Sequence, residues 1–328
     1  MIRTFTTVAS WAALALSTGP ALAGNRVFPV AERAEVADHF PAHIAQFAGG
    51  VTARGDVVYS TIPGYRPLIM DIYTPPKGKA ARPLILFIHG GGWVGGHTRH
   101  SGATADVPKV LAARAAEGFV VASLEYRLAG EAAFPAQLQD ARAGLRFLKA
   151  NAAKYGIDTS RTGIWGGSAG GHLTALTALS CGDTSVDLQP APAGTECVQS
   201  AVTWYGVFDF APLMARAGGD AAGQRLLGCA GPCETDKIRK ASPVSYIDKS
   251  DPPFLLIHGT ADKTVDVSQS HLAEAAMKAA GEPVESLYIP GVDHSFIGKT
   301  PAITRDATLK AINATFDFFH KTLGVAAK

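Results

Sequence analysis

Short apolar runs recur along most of this chain, each bounded by Gly, Pro or Asp and separated by stretches of helical period. The runs are Leu84–Ile88, Phe119–Leu124, Thr162–Gly166, Ala201–Tyr205, Phe254–Ile257 and Ser286–Ile289. Helices are predicted near 106–117, 136–154, from His172 onward, 268–280 and 303–322. Such runs do not alternate apolar with polar, as a half-solvated strand would, so they predict a mostly parallel sheet covered by helices on both faces. Two earlier segments, Val57–Tyr59 and Leu68–Tyr73, read as edge strands joined by a turn at Pro63-Gly64, which brings the expected sheet to eight strands. Residues 31–40 read as a surface helix. The stretches 181–197 and 207–250, rich in Gly, Pro and Asp, break the rhythm as surface excursions able to form a rim, and a small cap with contributions from about 24–50 and 207–250 is expected. In open α/β sheets, ligands bind at the carboxyl edge that such a cap would cover.

The first residues follow a different pattern. Arg3 precedes an apolar stretch from Val8 to Leu16, then Gly19-Pro20 and the small-x-small sequence Ala21-Leu22-Ala23. This is the layout of a secretory leader, so 1–23 is expected to be a signal peptide and 24–328 one domain, secreted or periplasmic. The apolar stretch is too short to span a bilayer, which takes ~20 residues. Export changes the meaning of the four cysteines, because an even count in an oxidising compartment suggests disulfides. Pairing Cys181 with Cys197 and Cys229 with Cys233 is the most economical of the three connectivities; free buried thiols are the alternative. A structural zinc site lacks the second closely spaced Cys or His pair it would need, and no metal is expected.

Composition narrows the function class. Apolar residues make up 47% of the 328 and charged residues 18%, enough to bury a sizeable core. The formal charge of +2 is nearly balanced and no basic block stands out, which argues against a nucleic-acid partner.

Three motifs carry chemistry. Gly166-Gly167-Ser168-Ala169-Gly170 is a G-x-S-x-G placed between a predicted strand and a predicted helix, the context of a nucleophile elbow. His89-Gly90-Gly91-Gly92-Trp93 follows the strand ending at Ile88. Its bare backbone could bring amides to an oxyanion, with Gly91, Gly92 and Ala169 as the expected donors. Of the ten histidines, His294 lies on a loop between the last predicted strand and the closing helix, where a general base belongs. Asp262, just past the strand Phe254–Ile257, is the expected orienting acid; Asp266 is its rival, and Asp293 is too close in sequence to His294 to turn towards its ring. The order Ser168, Asp262, His294 is that of the α/β-hydrolases. Trp93, Trp204 and Tyr205 follow strand ends and are candidate walls of a substrate pocket, although any of them could belong to the core. Asp140 is expected to anchor its helix to the Tyr126-Arg127 loop.

The chain resembles the hormone-sensitive-lipase-like esterases, and within them small bacterial enzymes related to acetyl-xylan and feruloyl esterases. The resemblance rests on Met70-Asp71-Ile72-Tyr73, the His89–Trp93 motif, Glu125-Tyr126-Arg127-Leu128 with Phe134-Pro135-Ala136-Gln137, and Ile164–His172. Downstream it continues through Trp204-Tyr205-Gly206, Ala241-Ser242-Pro243, Pro252–Leu255 and His258–Asp262. It implies a serine carboxylesterase acting on short acyl or aryl esters, small or polymer-linked, without a cofactor. The cysteine-flanked insertion departs from the general pattern of that group. A peptidase of the same fold and a non-catalytic ligand-binding protein are the competing readings; the complete Ser, Asp and His set disfavours the second.

Overall fold

The computed structural model describes residues 43–78, 80–187, 195–215 and 220–325. The expected signal peptide and the expected helix at 31–40 lie outside these. Nine strands occur in the order β1 (His43–Phe47), β2 (Val51–Ser60), β3 (Leu68–Thr74), β4 (Arg82–Ile88), β5 (Val120–Leu124), β6 (Ile157–Gly167), β7 (Ser200–Trp204), β8 (Phe254–Gly259) and β9 (Val284–Ile289). They form one sheet in the order β1-β2-β3-β5-β4-β6-β7-β8-β9. The first three strands and their junction with β5 are antiparallel, and β5 through β9 are parallel. The helices are α1 (Val107–Ala116), α2 (Ala136–Ala150), α3 (Ala152–Tyr155), α4 (Ala169–Leu179), α5 (Ala211–Met214), α6 (Ala221–Leu227), α7 (Thr235–Ala241), α8 (Ser268–Ala280) and α9 (Pro301–Thr322).

Alternation along β4 shows how the layers form. Leu84, Leu86 and Ile88 point to the face covered by α2, α4 and α8, whereas Ile85 and Phe87 point to the face of α1 and α9. Both sets are fully buried, which accounts for an apolar run without polar interruptions. The result is an α/β-hydrolase sheet with helices on both faces.

The sheet has one strand more than expected. β1 lies within the segment assigned to the cap, so residues 43–50 form an edge strand and a short turn beside β2 rather than a rim over the sheet. Residues 207–250 hold the three short helices α5, α6 and α7.

The cysteines pair as Cys181–Cys197 and Cys229–Cys233. The first pair closes a loop that is also held by charge. Arg142 on α2, fully buried, donates to the Ser180 and Asp183 carbonyls and to the Asp187 carboxylate. Arg146 bonds Asp187 at 2.7 Å and Glu196 at 2.8 Å. A buried guanidinium without acceptors would be strongly destabilising, so these carboxylates and carbonyls hold residues 180–187 and Glu196 against α2.

Candidate active site

Ser168 sits between β6 and α4 with φ 57° and ψ −122°, a conformation that a side chain other than glycine adopts only under strain. Its neighbours permit it. A Cβ at Gly170 would lie 2.1 Å from the Ile88 carbonyl oxygen, and one at Gly90 would lie 2.8 Å from that of Gly167. Without side chains at these two positions, the turn bearing Ser168 and the glycine-rich loop after β4 close directly on each other. That loop turns back on itself, with the Val94 and Gly95 amides both donating to the Gly91 carbonyl. Gly91 and Gly92 border the space in front of Ser168. Ala169 opens α4, where a first-turn amide has no acceptor within the helix.

The hydroxyl, imidazole and carboxylate come together from three loops. His294 Nε2 lies 2.9 Å from Ser168 Oγ, and His294 Nδ1 lies 2.8 Å from Asp262 Oδ2. This fixes the tautomer: Nδ1–H donates to the carboxylate, leaving Nε2 to accept from the serine. Asp262 Oδ1 accepts from the Thr264 and Val265 amides, each at 2.9 Å. The rival Asp266 instead accepts from the Ser268 amide at the start of α8, and Asp293 from the amides of Lys263 and His294. Neither carboxylate is bonded to the ring. Asp140 binds Arg127 through both its backbone amide and its guanidinium, the expected anchoring role.

One participant was not singled out from the sequence. His258, at the end of β8, accepts from Ser270 Oγ at Nδ1 and donates from Nε2 to the Val265 carbonyl at 2.9 Å, with Asp262 Oδ2 3.3 Å away. Its spacing of four residues from Asp262 was visible, but a strand-end histidine gave no reason to look towards the acid. Burial pushes the Asp262 carboxyl up, yet the bonds from His258 and His294, the His294 charge and the Val265 amide outweigh it and hold the group well below the usual carboxylate range.

A depressed carboxylate is ionised above its ordinary range of about 3.9 and loses its charge only far below it. Asp262 is therefore charged throughout pH 4–8. It adds no limb of its own to log(kcat/KM) for ester turnover between pH 4 and 8, and the expected slope on the acid side does not exceed one. A slope approaching two would mean that the carboxylate titrates in the same window.

The aromatic candidates divide. Tyr205, with φ 37°, borders the cleft, and its ring centroid lies 4.7 Å from that of His294. Trp93 borders a second, smaller pocket at Ser168; its Nε1 donates to His172 Nδ1, and His172 Nε2 donates to the Ala241 carbonyl. Burial lowers the His172 pKa to about 4, so this ring is a neutral packing element. Trp204 does not face the cleft. It is buried against Trp165 and Phe296 on the α9 face, and its Nε1 donates to Thr315. The reason is strand parity: Trp204 shares a face with Val202, and only the sharp backbone turn at the next residue brings Tyr205 round to the site.

Two spaces meet at Ser168. A cleft of about 520 Å³ runs between the loop at 100–103 and the turn at Ser295–Ile297, and includes His294 in its wall. A pocket of about 250 Å³ is lined by Trp93, Val207, Leu213, Ala222 and Val265. Among the described residues there is no cluster of His, Cys, Asp and Glu able to hold a metal ion, and no helix is long and apolar enough to cross a membrane.

Known proteins share this architecture. The profile of the BD-FAE family matches residues 70–277. Esterase LipQ of Mycobacterium tuberculosis is 28% identical over 304 residues, covering 87% of this chain and 68% of its own length. Esterase LipC of the same organism is 30% identical over 219 residues, covering 65% of this chain and 53% of its own. A truncated carbohydrate esterase from gut microbiota superposes with a TM-score of 0.70 at 28% identity, covering 87% of this chain and 99% of that one. An esterase of Thermogutta terrifontis with propionate bound gives 0.68 at 25% identity, covering 89% and 98%. The chain thus belongs to the BD-FAE family, among the hormone-sensitive-lipase-like α/β-hydrolases, carboxylic ester hydrolases by class.

Proposed function

We propose that the protein hydrolyses short acyl esters through an acyl-enzyme on Ser168, with His294 as general base and acid and Asp262 as the group that orients it. The observation that carries this reading is the continuous hydrogen-bond chain from Ser168 through His294 to Asp262 at the inner end of the cleft. His294 Nε2 takes the hydroxyl proton as Oγ attacks the ester carbonyl. The oxygen of that carbonyl becomes anionic and is met by the amides of Gly91, Gly92 and Ala169, where each such donor is worth ~10²–10³ in rate. The carbon–oxygen bond to the alcohol then breaks, and the departing oxygen takes the proton from Nε2. Water, deprotonated by the same nitrogen, releases the acid and restores Ser168. No cofactor or metal enters these steps.

The two spaces support a placement of the two halves of the ester. The departing oxygen must reach Nε2, so the alcohol lies in the cleft that His294 borders, and the acyl group takes the smaller pocket beside Trp93, whose wall also carries Asp220 and Thr264. About 250 Å³ suits acetyl to butyryl better than a long chain. Aryl esters and acyl groups on plant-derived carbohydrate are the candidate substrates, the latter suggested by the name of the gut carbohydrate esterase. The leader-like Arg3, Val8–Leu16 and Ala21–Ala23, together with two disulfides, support export to a secreted or periplasmic location. The segment 207–250, which supplies Val207, Leu213 and Ala222, is the proposed cap contribution to the single domain 24–328.

A fluorophosphonate probe should label the protein once, at Ser168. The labelled peptide is located by mass spectrometry, and nitrophenyl acetate turnover is expected to vanish in proportion. Cleavage of proline-containing peptides with no ester turnover would point to a peptidase, and absence of labelling to a binding protein.

A further inference from the structure

Two strands carry a polar residue inside an otherwise apolar run, Asp71 in β3 and Ser123 in β5, and the two are cross-strand partners. By strand parity they lie on the α1 and α9 face with Tyr73 and Val121, and both are buried. A buried carboxylate is costly unless it is paired and hydrogen-bonded. The loop between β4 and α1 supplies the pairing. Thr98 Oγ1 donates to Asp71 Oδ2 at 3.0 Å, and Arg99 donates from Nε to Oδ2 at 2.7 Å and from Nη2 to Oδ1 at 2.9 Å. Beside them, Ser123 Oγ donates to the Thr98 carbonyl at 2.6 Å. From β2, whose register with β3 slips between Arg54 and Val57, the Asp56 amide donates to Asp71 Oδ1 at 2.9 Å and the Asp56 carboxylate accepts from Arg99 Nη2 at 2.8 Å. A Cβ at Gly55 would lie 2.8 Å from that same nitrogen, so the approach requires glycine.

The chain runs from this anchor directly into the cleft. His100, Ser101, Gly102 and Ala103 border it, and a Cβ at Gly102 would lie 3.1 Å from both Tyr205 Oη and Ser295 Oγ. The earlier part of the same loop is held by other means. The Gly90 backbone lies against that of Gly167, the Val94 and Gly95 amides bond the Gly91 carbonyl, and the Trp93 carbonyl accepts from the Ala129 amide at 2.7 Å. One loop thus has two separate attachments, the first for the glycines in front of Ser168 and the second for the wall at 100–103.

We infer that Asp71 is a positioning residue: through Thr98 and Arg99 it sets residues 100–103, and with them the grip on the alcohol portion of the ester, while acyl preference is set elsewhere. The inference rests on the proposed reading of Ser168 as the nucleophile and of the His294 side as the leaving side. Misplacing a bound group by ~1 Å can cost ~10² in rate, so a wall released from its anchor is felt by esters whose alcohol reaches it.

The test takes two ratios of kcat/KM on the purified protein, each independent of the fraction that is active. The alcohol ratio compares 2-phenylethyl acetate with ethyl acetate, and the acyl ratio compares ethyl butyrate with ethyl acetate. Asp71→Asn is expected to lower the alcohol ratio about tenfold and to leave the acyl ratio within about twofold. Arg99→Met acts at a side chain 43% exposed, so it leaves the core packed and carries the test if the first variant does not fold; it should lower the alcohol ratio about threefold. A role confined to stability would cost active protein and shift neither ratio. Both ratios unchanged, or both shifted together, would overturn the proposal. A shift confined to the acyl ratio would instead refute the placement of the alcohol beside His294, and persistence of turnover in Ser168→Ala the reading of the nucleophile.

Discussion

Replacing Ser168 by alanine should reduce ester turnover by ~10³ at least, and towards ~10⁶ if the serine and His294 act as a unit. On the proposed mechanism, the substitution removes the atom that forms the acyl bond while leaving His294, Asp262 and the glycine amides in place. Residual rate would then come from water activated by His294 and from the oxyanion donors, which alone are worth ~10³–10⁴ over solution. Stability should change little or rise. The hydroxyl makes its one side-chain bond to His294, and alanine removes no core packing at this position. The measurement is kcat/KM for nitrophenyl acetate alongside a thermal melt. A folded variant retaining a tenth of the activity would show that another group attacks the ester.

Asp262→Asn should lower kcat by about 10⁴, equivalent to roughly 5 kcal/mol of transition-state stabilisation. The physical cause is the tautomer. An amide nitrogen placed at Oδ2 would present N–H to His294 Nδ1, and the ring would answer by moving its proton to Nε2, the nitrogen that must accept from Ser168. The amide oxygen can still take the Thr264 and Val265 amides, so the loop keeps its path. Asp266→Asn serves as the control: it alters a helix-start bond to Ser268 and should change kcat by less than about threefold, within the usual range for an exposed site. Equal loss in both variants would mean that the acid had been misassigned.

The candidate site was legible where local sequence and fold impose the same demand. Gly166 to Gly170 is a short motif whose glycines answer to backbone contacts a few residues away, and His89 to Gly92 follows directly from a strand end. Parallel strands buried on both faces announce themselves through unbroken apolar runs. What was hidden depends on pairing at a distance. β1 reads poorly because it has one neighbour and little to bury; Ile44 is 66% exposed, so no apolar alternation marks the strand. Trp204 and Tyr205 look equivalent as adjacent aromatics, and both are buried in one cluster; only the parity of β7 with Val202 and the turn at Tyr205 leave the first wholly inside and bring the second to the cleft wall. The proximity of His258 to Asp262 requires knowing that the chain doubles back after β8 to place Val265 against it.

The interlocking of bare backbone at Gly90 and Gly170 has an evolutionary corollary. Substitution there would drive a methyl group into carbonyl oxygens, so the reactive centre has almost no neutral neighbourhood through which to drift. Of the surrounding walls, the 100–103 loop and the 295–297 turn keep some constraint in the positive φ of Gly102, Ser295 and Phe296, but the glycine of the short helix Ala221–Leu227 faces side chains alone, which can give way. Lineages descended from such a scaffold should therefore diversify in what they accept while their reactive machinery stands still, and laboratory selection for new substrates should find its gains in those walls.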